Sequence, residues 1–214
     1  MTTILAIAPV IVLLVYFYCQ DRYDKEPLSK LAEAFFVGMI VVLQIQYLQD
    51  LLLDISTHIA WQAFIVAGLV EEGIKLMALR FTIYRDKHFN EQVDGIIYAV
   101  FLGLGFALAE TIVLSVDHST SIVRAVTAVP AHAMFACVMG YYLGKYKFHS
   151  KRNLLAYALF VPAVLHGVYN YLLMCGHTWA LISFVPYLIA LWVIGIRDTD
   201  IHLRNSRFRR KSNV

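Results

Sequence analysis

Residues 93–116 read VDGIIYAVFLGLGFALAETIVLSV, an apolar run whose only charged side chains are Asp94 and Glu110. Wound as an α-helix, a run of this length crosses the ~30 Å hydrocarbon core of a bilayer. The rest of the chain repeats the pattern: segments 3–20, 31–54, 58–83, 121–145, 153–175 and 178–197 each approach the roughly 20 residues a spanning helix needs. Of the 214 residues, 60% are hydrophobic and 15% charged, with a mean hydropathy of +0.65. A soluble core of this size cannot absorb so much apolar surface, which excludes a water-soluble enzyme and gives no expectation of a nucleic-acid partner. The expected fold is all-α, a polytopic transmembrane helical bundle of about seven spans, with lipid as its first partner.

The connections between spans are short, and there is no low-complexity linker or internal repeat. Residues 1–203 are therefore read as one transmembrane domain and 204–214 as a basic tail resting on anionic lipid. The first segment lacks a basic region before it and a small-residue cleavage site after it, so it is read as a retained span. Cys19, Cys137 and Cys175 have neither CxxC spacing nor an even count, and pack as small apolar residues. All but two of the 18 Lys and Arg residues follow the first, third, fifth and seventh segments; the exceptions are Lys75 and Arg124. By the positive-inside rule this puts the N-terminus outside and the C-terminus in the cytoplasm.

The informative residues are the polar ones inside the apolar segments: Glu71, Glu72 and Lys75 in the third, Glu110 in the fourth, His132 in the fifth, His166 and Asn170 in the sixth. An ionised group at the bilayer centre costs about 2.5–3.5 kcal/mol on insertion scales, so several together require a purpose. Counting 1.5 Å per residue from the outer ends puts Glu71 and Glu72 about 18–20 Å deep, His132 about 15 Å, His166 about 13 Å, Glu110 about 9 Å and Asn170 about 8 Å. Four helices thus present acids and imidazoles in one band, around a polar cavity opening toward the outer face. Lys75 is four residues from Glu71 and three from Glu72, so it can neutralise one carboxylate and leave the other for chemistry. His166 and Asn170, four apart, share a face, Gly167 between them thins the helix, and Gly103 and Gly105 admit a close neighbour or substrate backbone near Glu110. Each element alone has a structural reading as an interhelical hydrogen bond, an ion pair or a packing surface. Their common depth is what points to a working site.

These residues resemble the PrsW family of membrane-embedded proteases, within the superfamily of CAAX-type prenyl endopeptidases. The resemblance runs through Asp21-Arg22-Tyr23-Asp24-Lys25-Glu26-Pro27, the EExxK motif Glu71-Glu72-Gly73-Ile74-Lys75, Asp94-Gly95 onward to Glu110, Pro130-Ala131-His132, and His166-Gly167-Val168-Tyr169-Asn170. It implies a multi-pass protein of the bacterial cytoplasmic membrane. The implied activity is the first, site-1 cut in a single-span anti-sigma-factor-like substrate near its extracytoplasmic side, within a stress response. Prenyl-protease members carry FxxxH in the second motif where this chain has Phe106 to Glu110, FxxxE, so the manner of activating water need not be shared.

Two chemistries fit the residues. Without metal, Glu71 activates water with help from His132, His166 and Asn170 donate to the oxyanion, and Lys75 holds Glu72. With zinc, two or three of Glu72, Glu110, His132 and His166 bind the ion and Glu71 serves as base. HExxH is absent, so spacing does not choose between them. Ser115 and Cys137 have no base at helical contact spacing, which disfavours serine or cysteine chemistry. Other classes that use intramembrane Glu, His and Lys are a proton- or ion-coupled transporter and a non-catalytic binding or immunity protein.

Overall fold

The computed structural model describes residues 2–114, 118–149 and 151–209; Ser115 and the last basic residues of the tail lie outside them. Among the described residues every regular element is helical: α1 (Thr2–Gln20), α2 (Leu28–Leu53), a π-helical stretch (Trp61–Leu69) continuing into α3 (Val70–Thr82), α4 (Gln92–Leu114), α5 (His118–Val126), α6 (Ala128–His149), α7 (Arg152–Met174) and α8 (Thr178–Arg204). Five of the expected spans are long and apolar enough to cross a membrane: α2, α4, the end of α5 continued by α6 as Ile122–His149, α7 and α8. The expected first span shows a shorter apolar helix, Ile7–Gln20. The third is divided between π and α winding, and Glu71, Glu72, Lys75 and Arg80 break its apolar run. Exposed apolar side chains recur every three or four residues on the outer helices, as Phe36, Ile40, Leu43 and Tyr47 on α2 and Leu181, Val185, Ile189 and Val193 on α8. Such a lipid-facing stripe is what a bilayer-embedded bundle presents.

The centre is α4, packed on one side by α6 and on the other by α2, with α7 lying on α6 and on the π-helical stretch. Lipid gives no hydrophobic gain for helix association, so contact depends on how closely backbones approach. Gly95 of α4 meets Gly140 and Gly144 of α6, and a methyl on any of the three would strike the facing backbone. Gly105 likewise lies against the carbonyl of Phe35 in α2. Gly103 faces Ala136, and the Phe64 ring fills the space Gly167 leaves, so the glycines expected to admit neighbours admit helices of the same chain.

The segment 21–27 is tied to α4 by buried polar bonds. The Glu26 amide donates to Asp21 Oδ2 at 2.7 Å, and the Tyr98 hydroxyl donates to the Glu26 carboxyl. Asp94 Oδ2 accepts the amides of Asn90 at 2.6 Å and Glu91 at 2.7 Å, closing the entry to α4. These bonds give the acids of the first loop and of the Asp94-Gly95 motif a structural role. This end of the bundle carries the basic clusters; the other end carries the connections after α2 and α7.

Candidate active site

Glu71 and Glu72 stand in the first turn of α3, directly after the π-helical stretch. A π turn widens the helix and re-aims the side chains beyond it, a device found frequently at functional sites. It turns both carboxylates and Lys75 inward, all at 3% exposure or less. Facing them are His132 of α6 and His166 of α7, also buried.

The group is densely bonded. The Lys75 ammonium donates to Glu72 Oε1 at 2.9 Å, to Glu71 Oε2 at 3.3 Å and to His132 Nδ1 at 3.3 Å, with the Phe106 ring centre 3.8 Å below it. His166 Nδ1 lies 3.0 Å from Glu72 Oε1 and 3.8 Å from Glu71 Oε2. His132 Nε2 lies 3.0 Å from Glu110 Oε2, and Arg124 closes on the same carboxylate at 2.6 Å. With the ammonium donating to Nδ1, the His132 proton sits on Nε2 and is given to Glu110. With Glu72 ionised, His166 gives it the Nδ1 proton and keeps Nε2 as a lone pair. The rings are held as firmly: His132 and His166 meet edge to face with centroids 5.1 Å apart, and Phe135 stacks on His166 at 4.8 Å.

Electrostatics leaves this group one charge short. Three carboxylates face two fixed cations, Lys75 and Arg124, so neutral imidazoles leave one buried negative charge, a place for one more proton or a cation. One donor atom from each of Glu71, Glu72, His132 and His166 can be chosen so that all lie within 4.8 Å of one another. Carboxylate and imidazole donors are those zinc accepts, so the set fits a zinc ion in type and number. Glu110 lies outside it, one bond away through His132.

Beside the acids is a cavity of about 410 Å³, lined by Gln46, Gln49, Gln62, Phe106, Glu110 and Asn170 among others. Asp50, Leu53 and Met174, near the ends of α2 and α7, form its rim, so it opens at the end away from the basic clusters. The structure therefore brings Glu71, Glu72, Lys75, Glu110, His132 and His166 into one bonded network. Asn170 joins the cavity wall one turn further along α7.

Three participants carry no assignment from the sequence. Gln49 donates to Glu71 Oε1 at 3.0 Å and to the Val66 carbonyl at 3.2 Å, standing between cavity and acid. Its signal is present, since Gln46, Gln49 and Asp50 form a polar stripe near the end of a helix whose middle, Ala34 to Leu43, is apolar. Arg124 is visible as a basic residue outside the clusters, but its pairing with Glu110 depends on how the start of the Ile122–His149 helix meets the end of α4. Phe106 stands in a motif, and nothing in the sequence marks it as the floor beneath Lys75.

Residues 26–194 match the model of the PrsW family intramembrane metalloprotease. The chain belongs to the PrsW family. Protease PrsW of Clostridioides difficile (strain 630) is 38% identical over 219 residues, covering 95% of this chain and 92% of that protein. Protease PrsW of Bacillus subtilis (strain 168) is 35% identical, covering 89% and 90%, and that of Geobacillus kaustophilus (strain HTA426) is 38% identical, covering 89% and 87%. No solved structure matches the chain. PrsW membership makes it a peptidase and not a transporter or immunity protein, embedded as a multi-pass protein in a bacterial cell membrane.

Proposed function

We propose that this PrsW-family chain cuts a single-span, anti-sigma-factor-like membrane protein near the extracytoplasmic side, with Glu71 as general base. The observation that carries the reading is the buried gathering of two carboxylates and two imidazoles from three helices beside a polar cavity. The cavity opens away from the basic clusters, which under the positive-inside rule is the extracytoplasmic side.

Hydrolysis of a peptide needs a base for water, stabilisation of the tetrahedral oxyanion and a proton for the leaving amine. Lys75 donates to both acids, but Glu72 is engaged by His166 as well, whereas Glu71 turns its other oxygen to Gln49 on the cavity wall. Glu71 is thus placed to take a proton from water and return it to the amine. Asn170, on the cavity wall, offers an amide N–H to the substrate carbonyl. Glu110 fixes the ring of His132, and Glu72 fixes that of His166.

Glu72, His132 and His166 would hold a zinc ion once the Lys75 ammonium leaves His132 Nδ1, with Glu110 orienting His132 through Nε2 and Glu72 orienting His166 through Nδ1, as zinc-bound histidines are oriented. Bound there, zinc would acidify a water and polarise the scissile carbonyl. Co-expression with single-span anti-sigma candidates tests the reading. The wild type is expected to yield a shortened fragment, while Glu71→Gln inserts, accumulates and yields none. Unimpaired cleavage by that variant would falsify the role of Glu71. Metal analysis of purified protein, with activity before and after a strong chelator, tests the zinc: activity that survives complete removal rules it out.

A further inference from the structure

A second cavity, of about 740 Å³, lies at the basic end between α1 and α8, far from the acids. Its wall includes Arg22 just after α1, Arg197 and Arg204 on α8, and Arg209 beyond it. The one carboxylate in the wall is Asp200, bound to Arg204 at 2.7 Å. We propose that this cavity is a binding site for the phosphodiester headgroup of an anionic phospholipid, lodged between the first and last helices.

Four features carry the assignment. The first is charge: four guanidinium groups against one carboxylate make the cavity strongly electropositive, and guanidinium is the side chain best matched to phosphate oxygens. The second is level. α8 runs over 27 residues, about 40 Å, so its last two turns, from Arg197 to Arg204, stand beyond a ~30 Å hydrocarbon core, among headgroups. Arg22 comes directly after the end of α1 at the same end.

The third is the wall below the arginines. Val193 and Ile196 line the cavity and are 60% and 48% exposed, an apolar surface suited to the acyl chains of the same lipid. Among the described residues α1 and α8 have at most marginal contact, each being held to α4 and α6, so the gap between them is open to the bilayer. The fourth is preorganisation. Arg22 Nη2 donates to Gln20 Oε1 at 3.0 Å, and Arg209 Nη1 donates to the Arg204 carbonyl at 3.3 Å, which folds the chain after α8 back over the cavity. Arg204 pairs with Asp200 in an exposed bridge that a phosphate can replace. Side chains already ordered lose less entropy when they bind. Tyr16 and Tyr23 add two hydroxyls at the same rim.

The test is native mass spectrometry of the full chain released from micelles of mixed phosphatidylglycerol and phosphatidylcholine. The wild type is expected to retain phosphatidylglycerol in preference to phosphatidylcholine. In the cavity each guanidinium in contact with the bound phosphate contributes enough to change retention about fivefold, a contribution that basic residues outside the wall do not make. The double variant Arg197→Gln/Arg204→Gln is therefore expected to fall by roughly 25-fold. Lys151→Gln/Arg152→Gln, which removes two basic residues outside the cavity wall, is expected to retain lipid as the wild type does. Equal loss in both double variants, or no preference in the wild type, overturns the site. Competition by inorganic phosphate or glycerol phosphate at the same concentration overturns the lipid as its ligand. Should the first double variant fail to accumulate, Arg22→Gln reads the same cavity from the other helix, with the same outcomes deciding.

Discussion

Lys75 is the ammonium at the centre of the acidic group, and Lys75→Met is the sharpest test of how that group is balanced. The substitution keeps the length and packing of the side chain over Phe106 and removes three donated bonds, to Glu71, Glu72 and His132. Both carboxylates are almost fully buried, so no water replaces what is lost. Removing one partner of a buried ion pair costs about 3–5 kcal/mol, because the other charge is left uncompensated. Against a total stability of about 5–15 kcal/mol that is a large share, and in a chain of this size it lowers the melting temperature by about 6–20 °C. Thermal unfolding of detergent-purified protein measures it. Adding Glu72→Gln to Lys75→Met neutralises one of the stranded acids, so the double variant is expected to melt above the single one while cleavage stays lost. A Lys75→Met protein that melts with the wild type would show that the carboxylates are not ionised together, and the charge balance argued for the site would fail.

Gln49→Ala removes the amide that holds Glu71; stability should fall by only about 0.5–1.5 kcal/mol, while cleavage drops by about 10–100-fold. Parallel melting and cleavage assays separate the two effects. Gly140→Ala places a methyl 2.5 Å from Ile96 Cα at the crossing of α4 and α6, and should cost about 1–3 kcal/mol in a melting assay. Burial pushes the Glu26 carboxyl from 4.5 up to about 8. Between those values the unfolded chain releases a proton that the folded one keeps, so stability should be greatest at the acidic end and decline as pH rises to about 8. Glu26→Gln should flatten that slope in melting curves taken across the window. Replacing Gln46 and Gln62 together by Leu should slow cutting of a helical substrate more than cutting of one with a helix-breaking Gly-Pro inserted at the cleavage site, in paired cleavage assays; equal slowing counts against an unwinding step.

How far the sequence reaches is clearest at His132. Counted from a span beginning at 121, it stands about 6 Å deeper than Glu110. The structure supports that span: Ile122–His149 is one continuous apolar helix in which only Thr127 departs from α winding, its amide still bonded to the Val123 carbonyl. Glu110 and His132 nevertheless meet at 3.0 Å, so depth counted along each axis does not fix which side chains touch. Pro130, which has no N–H to give the helix, is the signal for the break at Thr127, and hydropathy alone runs past it. The third segment shows the same limit. Its length is legible, but a change from π to α winding leaves no mark in the apolar pattern. The acids and histidines are legible because charge inside an apolar run is costly wherever it occurs. Gln49 is legible only as one member of a polar stripe, since an uncharged amide on α2 carries a smaller penalty and is easily taken for packing.

The division between cavity and acids bears on how a substrate is handled. A spanning helix satisfies all its backbone groups internally, and in lipid an unwound peptide would leave amides and carbonyls without partners at several kcal/mol each. Its carbonyls are also engaged in i→i−4 bonds, so attack on one requires that the helix open. The cavity wall supplies what opening demands: Gln46, Gln49, Gln62 and Asn170 offer amide donors and acceptors, and Asp50 a carboxylate, at the end where the helices terminate. Gln49 belongs to both regions, lining the cavity while bonded to Glu71. A peptide backbone that takes the Gln49 amide as its partner frees Glu71 Oε1 at the moment the chain is unwound beside it. Under the proposed role of Glu71 as base, the Gln49 contact is thus the one an opened substrate would displace, leaving the Lys75 bond on Oε2 and coupling unwinding to the availability of the base.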